Sequence, residues 1–281
     1  MFLDRQNADG GWSYGTGQSW SEPTCYALLA MAALGLSGSE AARRGSAWLA
    51  SRQRSDGGWG PRASVGQSTW VTALALLLPG DLSAGVDSGK AASWLLTQSG
   101  RESGWANRLR RWMLGVSPET SLQFDGWPWY PDTAAWIAPT ALSILALQKI
   151  APSGDPRVRE RLGQGRAFLL ARRCRDGGWN HGSTRALGYD SGSYPETTGL
   201  ALLALHDAQG PEVESGVAAA ERHLAACRSS EASSWLTLAL LARGRSVTAP
   251  AIATHGGVIE TALQSLTAAA IQGRNLFLGH A

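Results

Sequence analysis

One short phrase, repeated along the chain, constrains the fold more than any other feature. It reads Gln6-Asn7-Ala8-Asp9-Gly10-Gly11-Trp12 and returns as Gln53-Arg54-Ser55-Asp56-Gly57-Gly58-Trp59 and Arg173-Cys174-Arg175-Asp176-Gly177-Gly178-Trp179. Weaker copies stand at Glu102-Ser103-Gly104-Trp105 and Asp125-Gly126-Trp127. In three cases a large side chain lies 11 residues ahead of the tryptophan: Trp48 before Trp59, Trp94 before Trp105, Phe168 before Trp179. Such periods mark chains built from stacked units, none of which buries its apolar face alone. The periodicity also explains an unusual composition, 13 tryptophans and 34 glycines in 281 residues.

Segments before the phrase carry helical spacing. Val213, Val217, Ala220, Leu224 and Cys227 step by four and three, as Val158, Leu162, Gly165 and Leu169 nearly do. Asp155-Pro156 supplies an N-cap and a first-turn proline. Segments after the phrase are apolar on all sides, as in Thr24-Cys25-Tyr26-Ala27-Leu28-Leu29-Ala30 and Thr198-Gly199-Leu200-Ala201-Leu202-Leu203. A helix hydrophobic all round is buried all round. The chain is therefore predicted to alternate outer amphipathic helices, near 39–53, 87–98, 156–173 and 212–228, with inner apolar ones. Six inner helices begin near Thr24, Thr72, Thr140, Thr198, Thr237 and Thr261. That number closes a ring. The expected fold is all-α, an α/α toroid of one domain over residues 1–281, with an open solenoid as the alternative.

Two outer helices are missing from this count, one before Gln6 and one between the last two inner helices. The backs of inner helices 1 and 6 then lack cover, and the seam between them is expected to be exposed, or to be covered by a second copy, by another partner or by upstream sequence of a longer reading frame. Residues 106–132 are surplus and are expected to form either a lid or binding loop, or a surface loop whose tryptophans pack for stability.

The remaining composition excludes several classes. Only 17% of residues are charged and 44% are hydrophobic, which suits a packed core and not a disordered chain. Net charge is +3 with scattered arginines, so no nucleic-acid partner is expected. Cys25, Cys174 and Cys227 are too few and too far apart for a disulfide framework or a zinc site. The first residues do not read as a secretory signal. The longest apolar stretch, Tyr26 to Leu36, falls short of the roughly 20 residues that span a bilayer. The expected location is cytoplasmic, with contact to a membrane surface left open.

Arg44-Gly45-Ser46-Ala47-Trp48-Leu49, followed after three residues by Gln53 and then by Asp56-Gly57-Gly58-Trp59, resembles the QW repeat of squalene-hopene and oxidosqualene cyclases and of protein prenyltransferase β subunits. The chain looks most like the short bacterial prenyltransferase/squalene-oxidase repeat proteins. The resemblance implies an α/α toroid with a central apolar cavity and an isoprenoid-like apolar ligand. It also implies that the repeat's glutamine and tryptophan are scaffold, the glutamine capping the next helix.

The chemistry of those relatives leaves few traces here. Class II cyclases protonate with the middle acid of Asp-X-Asp-Asp; the comparable stretch is Trp129-Tyr130-Pro131-Asp132-Thr133-Ala134, with Pro131 at the donor position. Prenyltransferases hold zinc with aspartate, cysteine and histidine, but no Asp-X-Cys occurs and the five histidines are dispersed. Asp-Asp-X-X-Asp, a glycine-rich phosphate loop and Gly-X-Ser-X-Gly are also missing from the sequence. No metal or other cofactor is expected.

What remains is acids at inner-helix starts. Aligned on the threonines, Glu22 and Glu196 stand two residues before Thr24 and Thr198, and Glu260 stands one before Thr261; Trp70, Ala138 and Trp235 take that place elsewhere. In a closed ring Glu22 and Glu260 would face each other across the seam. These three glutamates and Asp132 are the catalytic candidates. Tyr26, Trp70, Trp129, Trp136, Asp190 and Tyr194 are the substrate-binding candidates. First-turn acids also simply complement a helix dipole. The functional expectation is an isoprenoid-processing enzyme with an unusual acid. The alternative is a noncatalytic lipid-binding or protein-interaction toroid that lost both the acid motif and the zinc ligands. A glycosidase would need two carboxylates about 5–10 Å apart, and the repeat type does not favour it.

Overall fold

The computed structural model describes residues 2–101, 113, 124–150, 154–183, 185–186, 189–247 and 256–278. Among them are ten α-helices, a short 3-10 helix at Phe2–Arg5, and a small hairpin pairing Arg185–Ala186 with Tyr189–Asp190. In chain order the helices are α1 (Ser21–Ala33), α2 (Glu40–Ala50), α3 (Val71–Leu76), α4 (Ser88–Thr97) and α5 (Ile137–Ile150). They continue as α6 (Pro156–Ala171), α7 (Pro195–Ala204), α8 (Pro211–Ala226), α9 (Ser230–Ala242) and α10 (Val258–Ile271).

Helix α1 packs on α3, α3 on α5, α5 on α7, α7 on α9, α9 on α10, and α10 back on α1. The inner ring closes, so the fold is an all-α toroid. Around it, α2 covers α1, α4 covers α3 and α5, α6 covers α5, and α8 covers α7 and α9. Burial follows the sequence pattern. Every side chain from Thr24 to Met31 in α1 is buried, whereas α2 buries Ala42, Gly45, Trp48 and Leu49 and exposes Arg43, Arg44 and Ala47. The inner helices thus supply the core and the outer ones a one-sided shell.

The repeated phrase works as a lock between an outer helix and the next inner one. The threonine Oγ1 of the inner helix accepts the tryptophan backbone N–H: Trp12 to Thr24 at 2.9 Å, Trp59 to Thr72 at 3.0 Å, Trp127 to Thr140 at 2.8 Å, Trp179 to Thr198 at 3.0 Å. The same indoles donate backwards to the carbonyls of Phe2, Leu49, Leu95 and Leu169. The repeat thereby satisfies its own buried polar groups, as the interior requires. Gln53 donates to the carbonyls of Gly57 and Asp87 and accepts from the Asp87 N–H, tying the turn to the N-cap of α4. The turn itself demands glycine twice. Gly57 has φ +93°, and a Cβ there would lie 2.5 Å from the Lys90 carbonyl carbon; at Gly58 it would lie 2.5 Å from Ser68 Cβ.

Two elements depart from the sequence reading. The indole that bonds Leu95 is Trp127, 32 residues on, where the other locks span 10. The repeat turn after α4 is therefore Asp125-Gly126-Trp127, not the Trp105 turn, which lies outside the described residues, as does most of the predicted lid over 106–132. And α9 begins at Ser230, so Thr237 sits in mid-helix and does not mark a helix start.

The seam between α1 and α10 is less bare than predicted. The 3-10 helix Phe2–Arg5 packs on α10, with Phe2 1% exposed and Arg5 Nη1 bonded to the Gly256 carbonyl at 2.9 Å. This single helical turn covers part of α10. Among the described residues, no helix is long and apolar enough to cross a membrane, and no group of three or more His, Cys, Asp and Glu side chains is placed to hold a metal ion.

Candidate functional site

Helices α1, α3, α5 and α7 are each separated by an outer helix, so they run the same way and begin at one end of the toroid. A Cβ built on Gly257, the N-cap of α10, would lie 3.6 Å from the Tyr14 carbonyl just ahead of α1, which places the start of α10 at the same end. This mouth gathers four glutamates. Glu22, Glu196 and Glu231 are the second residues of α1, α7 and α9, and Glu260 is the third of α10. Glu196 is exposed, the other three half-buried.

Their electrostatics centre on Glu231. Burial raises its carboxyl pKa, the charges of Glu196, Glu22 and Glu260 raise it further, and together they bring it to about 7. Glu22 is also raised, first by burial and then by Glu196, while a hydrogen bond from the Tyr14 hydroxyl pulls the other way. The hydroxyl of Tyr14 is in turn pushed up by burial and by Glu22. Burial and Glu22 together likewise raise Tyr26 and the Cys25 thiol.

The ring places the sequence candidates unevenly. Glu22, Glu196 and Glu260 share the mouth. The like charge acting on Glu22 is Glu196, across the opening, whereas Glu260 acts on Glu231. Glu260 also turns back to accept from the Gly257 N–H at 2.8 Å, a capping contact within its own helix. Asp132 lies on an exposed turn with φ +61°, five residues before α5 starts, and is not among the charges acting on Glu22 or Glu231.

Sequence reasoning missed Glu231, and the reason is a register error. Aligning α9 on Thr237 put Trp235 in the acid position. Aligned on helix starts, Ser230-Glu231-Ala232-Ser233 repeats Ser21-Glu22-Pro23-Thr24 and Pro195-Glu196-Thr197-Thr198. Tyr14 was missed too, since only the folded mouth brings its hydroxyl to Glu22.

Aromatic side chains collar the opening. Trp20, Trp70 and Tyr194 are the N-cap residues of α1, α3 and α7, and Trp136 immediately precedes α5. Trp20 meets Tyr14 edge-on at 5.4 Å, and Trp70 meets Trp129 at 4.8 Å. His181 lies between Trp136, at 6.0 Å, and Tyr194, at 5.1 Å. A cavity of about 390 Å³ opens there, also lined by Arg172 and Asn180. Asp190 belongs to the outer hairpin, where Arg175 reaches it at 3.2 Å. Tyr26 lies in the ring's interior, 4% exposed and edge-on to Trp235 at 6.2 Å.

One further polar contact has the look of a nucleophile pair. Ser193 Oγ lies 2.7 Å from His223 Nε2, but its hydroxyl proton is engaged by Asp176 at 3.0 Å. An activated serine needs its proton on the histidine side, and the equivalent Asp9–Ser19 and Asp56–Ser68 contacts recur in repeats without a histidine. The contact is part of the repeat.

No family model and no curated protein sequence matches the chain, but solved structures resemble it in fold. The apo form of the type II terpene cyclase MstE from Scytonema is 19% identical over 99% of this chain and 77% of that one, with a TM-score of 0.55. A variant of MstE in complex with geranylgeranyl dihydroxybenzoate, its substrate, is 20% identical over 98% of this chain and 76% of that one, also with a TM-score of 0.55. A protein from Actinoplanes is 18% identical over 99% and 80% of the two chains, with a TM-score of 0.53. The chain has the fold of a terpene cyclase.

Proposed function

We propose that the protein is an isoprenoid-processing enzyme that works by proton donation at the toroid mouth, with Glu231 as the acid. The observation that carries this reading is the convergence of Glu22, Glu196 and Glu260 on the half-buried Glu231, which lets that carboxyl keep its proton near neutral pH. A neutral carboxylic acid is what alkene protonation needs, and burial with like charges is how a protein maintains one. The likeness in fold to a cyclase solved with a geranylgeranyl-derived substrate supports an apolar, prenylated ligand.

In the proposed step the Glu231 O–H bond breaks and a C–H bond forms at an alkene carbon of the substrate. The electron pair of the alkene makes the new bond, leaving a carbocation on the substrate and a carboxylate on Glu231. A second alkene closes a C–C bond onto that cation, water at the open mouth takes a proton from the carbon next to the final cation to leave an alkene, and the Glu231 carboxylate takes a proton back from solvent, so the substrate is isomerised and the acid restored. The mouth's tryptophan and tyrosine faces stabilise passing positive charge. Tyr14 fixes Glu22 by its hydrogen bond, and Glu196 keeps a negative charge close to the donor.

The test is a panel of prenyl substrates incubated with wild type, Glu231→Gln, Glu22→Gln, Glu196→Gln, Glu260→Gln and Asp132→Asn. Glutamine keeps shape and hydrogen bonding but cannot donate this proton. Glu231→Gln is expected to lose about 10²–10⁴ in rate, the usual worth of a general acid, with smaller losses at Glu22 and Glu196. Full turnover by Glu231→Gln with Asp132→Asn inactive would move the acid to Asp132. Binding without turnover in every protein, wild type included, would favour the noncatalytic toroid.

A further inference from the structure

A second cavity, of about 200 Å³, opens where the loop from α2 to α3 meets the start of α1. Arg52, Arg54 and Arg62 line it, and no carboxylate does. Ser21, the first residue of α1, and Trp48 of α2 also stand in its wall. Among the described residues none of these three arginines makes an ion pair, whereas Arg43, Arg166 and Arg243 on the helices and turns elsewhere all do. The charge of Arg52 reaches Asp9, but that carboxylate lies outside the cavity and is not paired with it. Aromatic faces hold two of the three guanidiniums: Arg52 lies 5.3 Å from the centre of the Trp48 ring and Arg62 4.9 Å from that of Trp20. Arg54 donates to the carbonyls of Val65 and Gly66, which fixes the loop around it.

The repeated scaffold does not demand this charge. Aligned on Trp12, Trp59 and Trp179, the place of Arg54 is taken by Asn7 and Cys174, and that of Arg62 by Gly15 and Gly182. Asn7 ties its own loop with a neutral amide, donating to the Gly17 carbonyl at 3.0 Å, so the tie made by Arg54 needs no cation. Three guanidiniums around one hollow repel one another. An anion among them would turn that repulsion into charge-assisted hydrogen bonds.

The cavity adjoins the mouth. Arg62 covers Trp20, the N-cap residue of α1; Trp20 meets Tyr14 edge-on at 5.4 Å, and Tyr14 bonds Glu22. Trp20 thus lies between the arginines and the acids. The hollow is smaller than the roughly 300–1,000 Å³ of a pocket that encloses a whole organic ligand, so it suits a head group.

We propose that Arg52, Arg54 and Arg62 form an anion site for a phosphate or diphosphate group, on the outer side of the Trp20 collar. Guanidiniums meet phosphate oxygens in paired hydrogen bonds, and three of them balance the charge of about −2 on a phosphate ester or the higher charge of a diphosphate. The group is either free or the head of a prenyl ester whose chain crosses Trp20 into the mouth. The site stands independently of the acid assigned to Glu231.

The experiment is isothermal titration calorimetry at low salt with inorganic phosphate, inorganic diphosphate and geranyl diphosphate. The proteins are wild type, Arg62→Gln, the double variant Arg52→Gln/Arg62→Gln and, as a charge control, Arg159→Gln on α6. All three arginines replaced are exposed, and circular dichroism verifies folding. Wild type and Arg159→Gln are expected to bind diphosphate equally. Affinity should fall about tenfold in Arg62→Gln, the worth of one charged hydrogen bond, and further in the double variant. Geranyl diphosphate held more tightly than diphosphate, and weakened by the same substitutions, assigns the site to a prenyl head; equal affinity for the two assigns it to a free anion. Failure of all three ligands to bind wild type, or affinities that fall no further in the double variant than in Arg159→Gln, overturns the site. Neither of these results touches the acid reading, which is read by turnover.

Discussion

At Glu231 the carboxylate is disfavoured twice, by removal from water and by the negative charges of Glu196, Glu22 and Glu260. The folded protein therefore holds this proton more tightly than the unfolded chain. Stability linked to it is fully present below the ordinary glutamate pKa of about 4.5 and is lost as pH rises to about 7. Glu231→Gln removes the penalty, so it is expected to be more stable than wild type above pH 7, by on the order of 1–3 kcal/mol after allowance for partial exposure. The gap should close towards pH 4.5. Chemical denaturation at pH 5 and pH 8 reads this directly, and equal stabilities at both would mean the charges do not converge as described. A parallel loss of turnover in wild type as pH rises through about 7 is expected for a donor of this kind. At this scale the sequence was only partly legible. Glu22, Glu196 and Glu260 could be found as first-turn acids, but their effect on a fourth carboxyl depends on which helices face each other. Glu231 was hidden because a threonine inside α9 imitated a helix start.

Elements were easier to read, because each lock is local and made of few residue types. The threonine near the start of the inner helix proved to be the acceptor for a buried tryptophan N–H in four repeats. Thr72→Val keeps the shape and removes the acceptor, leaving the Trp59 N–H unpaired in the core. It is expected to cost about 1–3 kcal/mol, measured by urea titration; a change below a few tenths would mean another acceptor moves in. Gly57→Ala should be at least as damaging, since it combines a positive φ with backbone 2.5 Å from the new Cβ. The segment 274–278, which follows α10 and is tied by Arg274 to the Ala33 carbonyl, makes its own test. Lys149→Met removes both hydrogen bonds that join α5 to Leu77 and Leu276. Faster amide exchange is expected in residues 274–278 and not in the ring helices; exchange unchanged from wild type would show that Arg274 and the buried Phe277 hold the segment without it. What misled the sequence reading was an insertion. It separates α4 from its lock, and a glycine-tryptophan pair near the expected spacing, at Trp105, stood in for the true partner at Trp127.

At the scale of the whole molecule, the count of six apolar helices was sufficient to give a closed ring, because helices hydrophobic on all sides have few other ways to be buried. Among the described residues the outer helices number four, as counted from the sequence, but that count says nothing about what small pieces of chain do in the gaps. The α1–α10 seam is where this matters. Phe2 is 1% exposed there, and its carbonyl receives the Trp12 indole N–H at 2.9 Å, so a single turn of 3-10 helix both covers α10 and completes the first lock. Leu34 and Ile271, 45% and 40% exposed near the far ends of α1 and α10, remain open to solvent. Replacing Phe2 by alanine should therefore do two things at once. It removes a buried ring, for which about 3–5 kcal/mol is usual in a core and rather less at a terminal turn that can relax. It also uncovers apolar surface continuous with the seam, the kind that drives association. The expected outcome is a thermal midpoint lowered by several degrees, together with a mass in light scattering that rises with protein concentration more steeply than for wild type. Phe2→Leu, which refills most of the space, should restore both. If Phe2→Ala loses stability but its concentration dependence matches wild type, the seam is not an association surface and the short helix serves only to complete the Trp12 lock.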